Sequence, residues 1–146
     1  DIRIALERQV VGHLAGVLTE KQAAELRALV KAEDDARHGP DGHAIRLATE
    51  FHVRLAEMTE KPILIRYVTE ICYRAGLSLS TLARPHSSDC AVSEHLDLIE
   101  TIRTGPREAA MELMDRHLEA VASRALLSSK GVRTRELADI LAPYLS

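Results

Sequence analysis

Tryptophan is absent from this chain, phenylalanine occurs once and tyrosine three times. A β-sandwich or barrel draws on aromatic and β-branched side chains, so its core is left to Leu, Ile, Val, Ala and Met, the composition of packed helices. No continuous apolar segment approaches the roughly 18–20 residues that span a bilayer. The opening DIRIALERQ is a charged amphipathic pattern, unlike a signal peptide. Cysteine is scarce too: Cys72 falls on a helical stretch and Cys90 in a loop-like one, with no ligand spacing between them. Two reduced thiols are expected, in a cytoplasmic protein without a membrane partner. A net charge of −3 and a single short basic run, KGVRTR, exclude nucleic-acid binding by this segment alone. Metalloprotease His-Glu-x-x-His, di-iron Glu-x-x-His, Gly-rich phosphate loops and Gly-x-Ser-x-Gly elbows are all missing.

What is present is helical periodicity over a length suited to one domain, residues 1–146. A first helix is expected over Ile2–Leu18, with Ile2, Leu6, Val10, Leu14 and Val17 inward. Thr19 and Gln22 form a capping box for a second helix to Arg37, with Ala24, Leu26, Leu29 and Val30 inward. After the loop KAEDDARHGPDG, a third helix spans about His43–Met58. Pro62 opens a fourth that reaches Leu82. Ser88, Asp89 or Ser93 caps a fifth, which ends near Gly105, and Pro106 opens a sixth to about Leu127. A short seventh is expected over Thr134–Leu141. The fold class is all-α, an antiparallel bundle of six to seven helices.

Three histidines fall on inward faces of three different helices. His52 has Ala48, Leu55 and Ala56 at helical spacing, His95 has Leu98, Ile99 and Ile102, and His117 has Leu113, Met114 and Val121. Any one of them alone reads as a core histidine satisfied by a hydrogen bond. Together they suggest a shared divalent transition metal (Zn, Ni or Mn), because neutral imidazole is the commonest protein ligand and several unsatisfied buried rings are costly. His38, His43 and His86 read as solvated. His13 lies near the inward stripe of the first helix, with boundary packing as the alternative. Glu50 and Glu94 are expected to face away from the neighbouring histidines, so no general base stands beside the cluster.

These residues resemble the FCD effector-binding domain of FadR-type GntR-family transcriptional regulators. The resemblance covers about residues 1–127. It rests on Arg3-x-x-Leu6-Glu7, on Phe51-His52-x-x-Leu55 followed by Pro62, and on Glu94-His95, Ile99, Ile102, Gly105, Ala110, Met114 and His117-Leu118. It implies a ligand-sensing and dimerisation domain, not an enzyme. It implies a metal held by His52, His95 and His117, a small carboxylate metabolite as effector, and a homodimer. Operator DNA would be bound only through an N-terminal winged helix absent from this chain. The metal-binding members carry an aspartate four residues before the first histidine, where this chain has Ala48; Lys61 and Pro106 replace the family's usual Asn and Asp. Three arrangements follow from Ala48: a three-His metal with more open positions, a substitute ligand such as His13, or a metal-free pocket. Arg74 and Arg46 are the candidate effector-binding cations. The rival readings are a metal-dependent hydrolase or oxygenase on a helical bundle, and a metal-free structural dimerisation module.

Overall fold

The computed structural model describes residues 2–39, 42–82, 89–128 and 141. Six helices occupy them: α1 (Ile2–Leu14), α2 (Glu20–Ala36), α3 (His43–Glu57), α4 (Pro62–Leu82), α5 (Asp89–Thr104) and α6 (Arg107–Ser128). The seventh helix expected over Thr134–Leu141, and His86 and Ser88, lie outside the described residues apart from Leu141 itself. Cys90 belongs to α5 rather than to a loop.

Local chemistry places most boundaries. Thr19 Oγ1 accepts from the Gln22 N–H at 3.3 Å and Gln22 Oε1 accepts from the Thr19 N–H at 3.0 Å, the reciprocal capping box at the start of α2. Pro62 opens α4, where its missing N–H costs nothing. The first helix is shorter than its stripe suggests. Gly16 turns the chain with φ at +75°, and its N–H donates to the carbonyl of Ile102 at 2.9 Å, tying the end of α1 to α5. Val17 lies beyond that turn and is 66% exposed, as is Ile2 at the other end. Ala24 is exposed as well, while Ala23 takes the inward position. Gly105 ends α5 where a Cβ would stand 2.7 Å from the Thr101 carbonyl oxygen, so no larger residue fits the α5–α6 corner unchanged.

The helices close a ring: α4 packs on α3, α3 on α2, α2 on α5, α5 on α6, α6 on α1, and α1 back on α4. Besides its ring neighbours, α1 reaches α3 and α5. The interior is filled by Phe51, Leu26, Leu55, Leu98, Ile99, Ile102 and Met114, all fully buried. Among the buried polar residues are five titratable ones, Glu7, Glu33, His52, His95 and His117. Polar groups in such a place require partners, and their pairing defines the site.

Candidate metal centre

His52 on α3, His95 on α5 and His117 on α6 converge in the middle of the ring. One ring nitrogen from each lies within 4.8 Å of those of the other two. Their outer nitrogens are all claimed by carboxylates. His52 Nδ1–H donates to Glu7 Oε2, His95 Nδ1–H to Glu33 Oε2 at 2.8 Å, and His117 Nδ1–H to Glu94 Oε2 at 2.6 Å. A carboxylate only accepts, so the hydrogen of each ring is on Nδ1 and the lone pair is on Nε2. The three lone pairs then face one another.

Two features of that inner face suit a cation. His52 Nε2 and His117 Nε2 stand 3.2 Å apart with no hydrogen left to share, and His95 Nε2 is buried without any hydrogen-bond partner. Two nitrogens bound tetrahedrally to one zinc ion at about 2.0–2.1 Å lie roughly 3.3–3.4 Å apart, close to the observed spacing. Carboxylate, imidazole and open Nε2 form the arrangement that fixes tautomer and ring orientation in metal-binding histidines. The donor set therefore fits a divalent transition metal.

The surroundings hold the rings in place. Phe51 stacks on His95 with centroids 4.1 Å apart and planes 22° off parallel. Arg3 Nε donates to Glu7 at 2.6 Å, and the Cys72 thiol donates to the same oxygen at 3.3 Å. Arg124 grips Glu94 with two N–H groups at 2.8 and 2.9 Å. Every helix thus contributes. Glu94 is the most open of the three carboxylates at 27% side-chain exposure, and it turns toward His117 rather than away from the cluster, contrary to the expectation from its place next to His95. Glu50 does face elsewhere and pairs with Arg46.

Glu7 and Arg3 enter the sequence reading only through the Arg3-x-x-Leu6-Glu7 resemblance, and Glu33 is read there as part of the surface loop KAEDDARHGPDG, whereas it lies on α2 and is 1% exposed. Glu7 shares the inward stripe of Val10, Val11 and Leu14, and Glu33 that of Leu26 and Val30, so an acid interrupts an apolar face in each case. Arg3 stands one turn before Glu7. Arg124 and Cys72 gave no comparable sign.

A family model for the FCD domain matches residues 1–120, most of the chain. The chain is an FCD domain. Such domains are the effector-binding C-terminal domains of GntR-family regulators. Neither curated proteins nor solved structures give a match. The matched stretch includes all three histidines and Glu7, Glu33 and Glu94, while Arg124 lies just past it.

In this FCD domain, the other candidate residues sit apart from the triad. Arg46 pairs with Glu50 at 2.7 Å and contacts His43 at 3.3 Å. Arg74 is 78% exposed and pairs with Glu70 on the surface of α4. His13 is exposed on the last turn of α1. Ala48 is half-buried one turn before His52 and offers no ligand atom.

Burial pushes the His52 imidazole down to about 3, against the pull of Glu7, and it lowers His117 in the same direction against Glu94. Burial opposes ionisation of Glu7 and Glu94 too, but neighbouring charges and hydrogen bonds outweigh it. Both carboxyls fall below the ordinary range, Glu94 to about 2. A neutral His52 supplies no charge, so Arg3 is what keeps Glu7 ionised. For the histidines, a folded-state pKa below 6.5 means that the unfolded chain takes up protons the fold refuses. Stability without metal is therefore complete above about pH 6.5 and declines toward acid, with Glu94 adding to the loss below 4.5. Thermal unfolding in chelator at about pH 7.5, 6.5 and 5.5 should show a falling midpoint, and His52→Leu should flatten the profile. An unchanged midpoint across that range would mean that these histidines titrate as if exposed.

Proposed function

We propose that this FCD domain senses a small carboxylate metabolite through a divalent metal held by Nε2 of His52, His95 and His117. When bound, the metal supplies a Lewis-acidic centre that can accept a carboxylate oxygen. The observation that carries the reading is the inward-facing set of three Nε2 lone pairs, with His95 Nε2 buried and partnerless. Ala48 removes the acidic ligand found in metal-binding relatives, which leaves more of the coordination sphere for the effector. His13, exposed at the end of α1, is poorly placed to replace it.

The chain's own residues do the positioning. Glu7, Glu33 and Glu94 hold the Nδ1 protons, and Arg3 and Arg124 hold two of those carboxylates. Phe51, buried against His52 and His95, forms part of the dry wall that strengthens these contacts. Because the three histidines come from α3, α5 and α6, a ligand bridging them favours one packing of those helices. Such a ligand can shift a domain equilibrium only by its differential affinity for the two states. In the full regulator, that shift would reset the spacing of two winged helices in a homodimer on operator DNA. The hydrolase reading draws no support from Glu7, Glu33 or Glu94, since each faces an Nδ1 and none stands free as a base toward the Nε2 side.

The test is elemental analysis of untagged protein, followed by titration of the metal-free protein with Zn²⁺, Ni²⁺ and Mn²⁺. One metal per chain is expected, lost in His52→Ala, His95→Ala and His117→Ala. A panel of carboxylic acids should raise the thermal midpoint of the metal-loaded chain more than that of the metal-free chain. Native protein that holds no stoichiometric metal and takes up none rules the proposal out.

A further inference from the structure

The three carboxylates look equivalent by distance and differ in charge. Glu7 faces Arg3 at 2.6 Å, and Glu94 faces Arg124 at 2.8 Å. Glu33 has no partner among the described residues except His95. The cations nearest along its own helix are committed elsewhere, Lys31 to Asp35 and Arg37 to Asp34. Glu33 and His95 are both only 1% exposed.

That pair has no comfortable state by itself. With one proton, on Nδ1, it carries a buried negative charge that no cation offsets. Its inward nitrogen, His95 Nε2, is buried and has no hydrogen-bond partner. A cation at Nε2 removes both problems at once. The other two pairs do not need one in this way, because Arg3 and Arg124 already balance their carboxylates.

We infer that Glu33 is the positioning residue that sets the metal affinity of the cluster, through the unbalanced charge it places behind His95. The inference rests on the metal reading above. The Glu33–His95 pair is the strongest donor of the three, and Glu33 supplies from behind the ring the negative charge that Ala48 cannot supply as a ligand. Glu7 and Glu94 orient their rings but add little net charge. The cluster consequently pulls hardest on a cation at His95, the ring that Phe51 stacks in place.

Glu33→Gln separates charge from packing, because the amide oxygen can still accept the His95 Nδ1–H. Zn²⁺ affinity is measured by competition against a chromophoric chelator for the wild type, E33Q and the double variant E94Q/R124Q, with thermal unfolding of each metal-free chain. E33Q should bind Zn²⁺ about 10–100-fold more weakly than the wild type, and the double variant E94Q/R124Q, which removes a carboxylate together with the cation that balances it, should lose clearly less. The metal-free E33Q chain should unfold no lower than the metal-free wild type, since a buried unbalanced charge has gone. The visible bands of the Co²⁺-loaded chain should change more in E33Q than in E94Q/R124Q.

Equal affinity of E33Q and wild type, or a larger loss in E94Q/R124Q, overturns the inference and leaves the metal reading standing. A metal-free E33Q chain that is less stable than the wild type, or does not fold, also overturns it, because Glu33 would then be a structural partner. A wild type that takes up no Zn²⁺ overturns the metal reading, and this inference with it.

Discussion

Phe51→Ala should destabilise the domain by about 3–5 kcal/mol, measured as the shift in chemical unfolding free energy. Phe51 is the chain's single phenylalanine, completely buried on α3 among the largest core side chains. The rings beside it, His52 and His95, are each held by a carboxylate, so neither is free to fill the space it leaves. The residual cavity adds to the lost transfer energy, and a domain of this size should lose roughly 10 °C in its thermal midpoint. The same substitution frees the face of His95, so Zn²⁺ binding should weaken even in conditions where the variant is folded. Phe51→Leu should retain part of the volume and lose the stack, giving a smaller stability loss with a comparable defect in metal binding. An alanine variant within about 1 kcal/mol of the wild type would show that the ring is not a keystone of the core.

Arg3→Met is expected to be nearly as severe, at about 3–5 kcal/mol. The substitution keeps an apolar stem but strands the Glu7 carboxylate, which is buried between His52, Cys72 and the missing guanidinium. Breaking one side of a buried pair costs more than removing both, because the surviving charge has been stripped of water and left without its partner. The double variant Arg3→Met/Glu7→Gln should therefore recover much of the loss. Urea unfolding of the two single variants and the double variant forms a complete cycle. Additive losses, with no recovery in the double variant, would show that the two residues act independently.

Much of the architecture was legible because helical registers and end signals agree. The Thr19–Gln22 box, Pro62 and the Gly105–Pro106 corner each stop or start a helix for a local reason, and the structure follows them within a residue or two. The error at Val17 has a local cause as well. A stripe at helical spacing continues through Gly16, yet a glycine in the left-handed region ends the helix before the stripe does. The histidines were legible because an imidazole among Leu, Ile and Ala on a helix face is conspicuous. Their carboxylates were not, because the partners are far apart along the chain. Glu7 meets His52 across 45 residues and Glu33 meets His95 across 62. Glu94 is hidden for a different reason: it stands beside His95 in the sequence, while its partner, His117, is on the next helix.

The closed ring has a consequence for the order in which the site comes into being. Glu7 and His52 can meet once the first half of the chain is made, but His117 reaches them only after α6 has returned to α1. A nascent chain that ends before α6 has Glu7 and His52 but lacks His117, so the inner face of His52 is without that companion. Contacts of such long range form slowly because loop closure precedes the reward. Metal uptake would then report the closing of the ring itself, and the rate of colour development with Co²⁺ during refolding would time the arrival of α6.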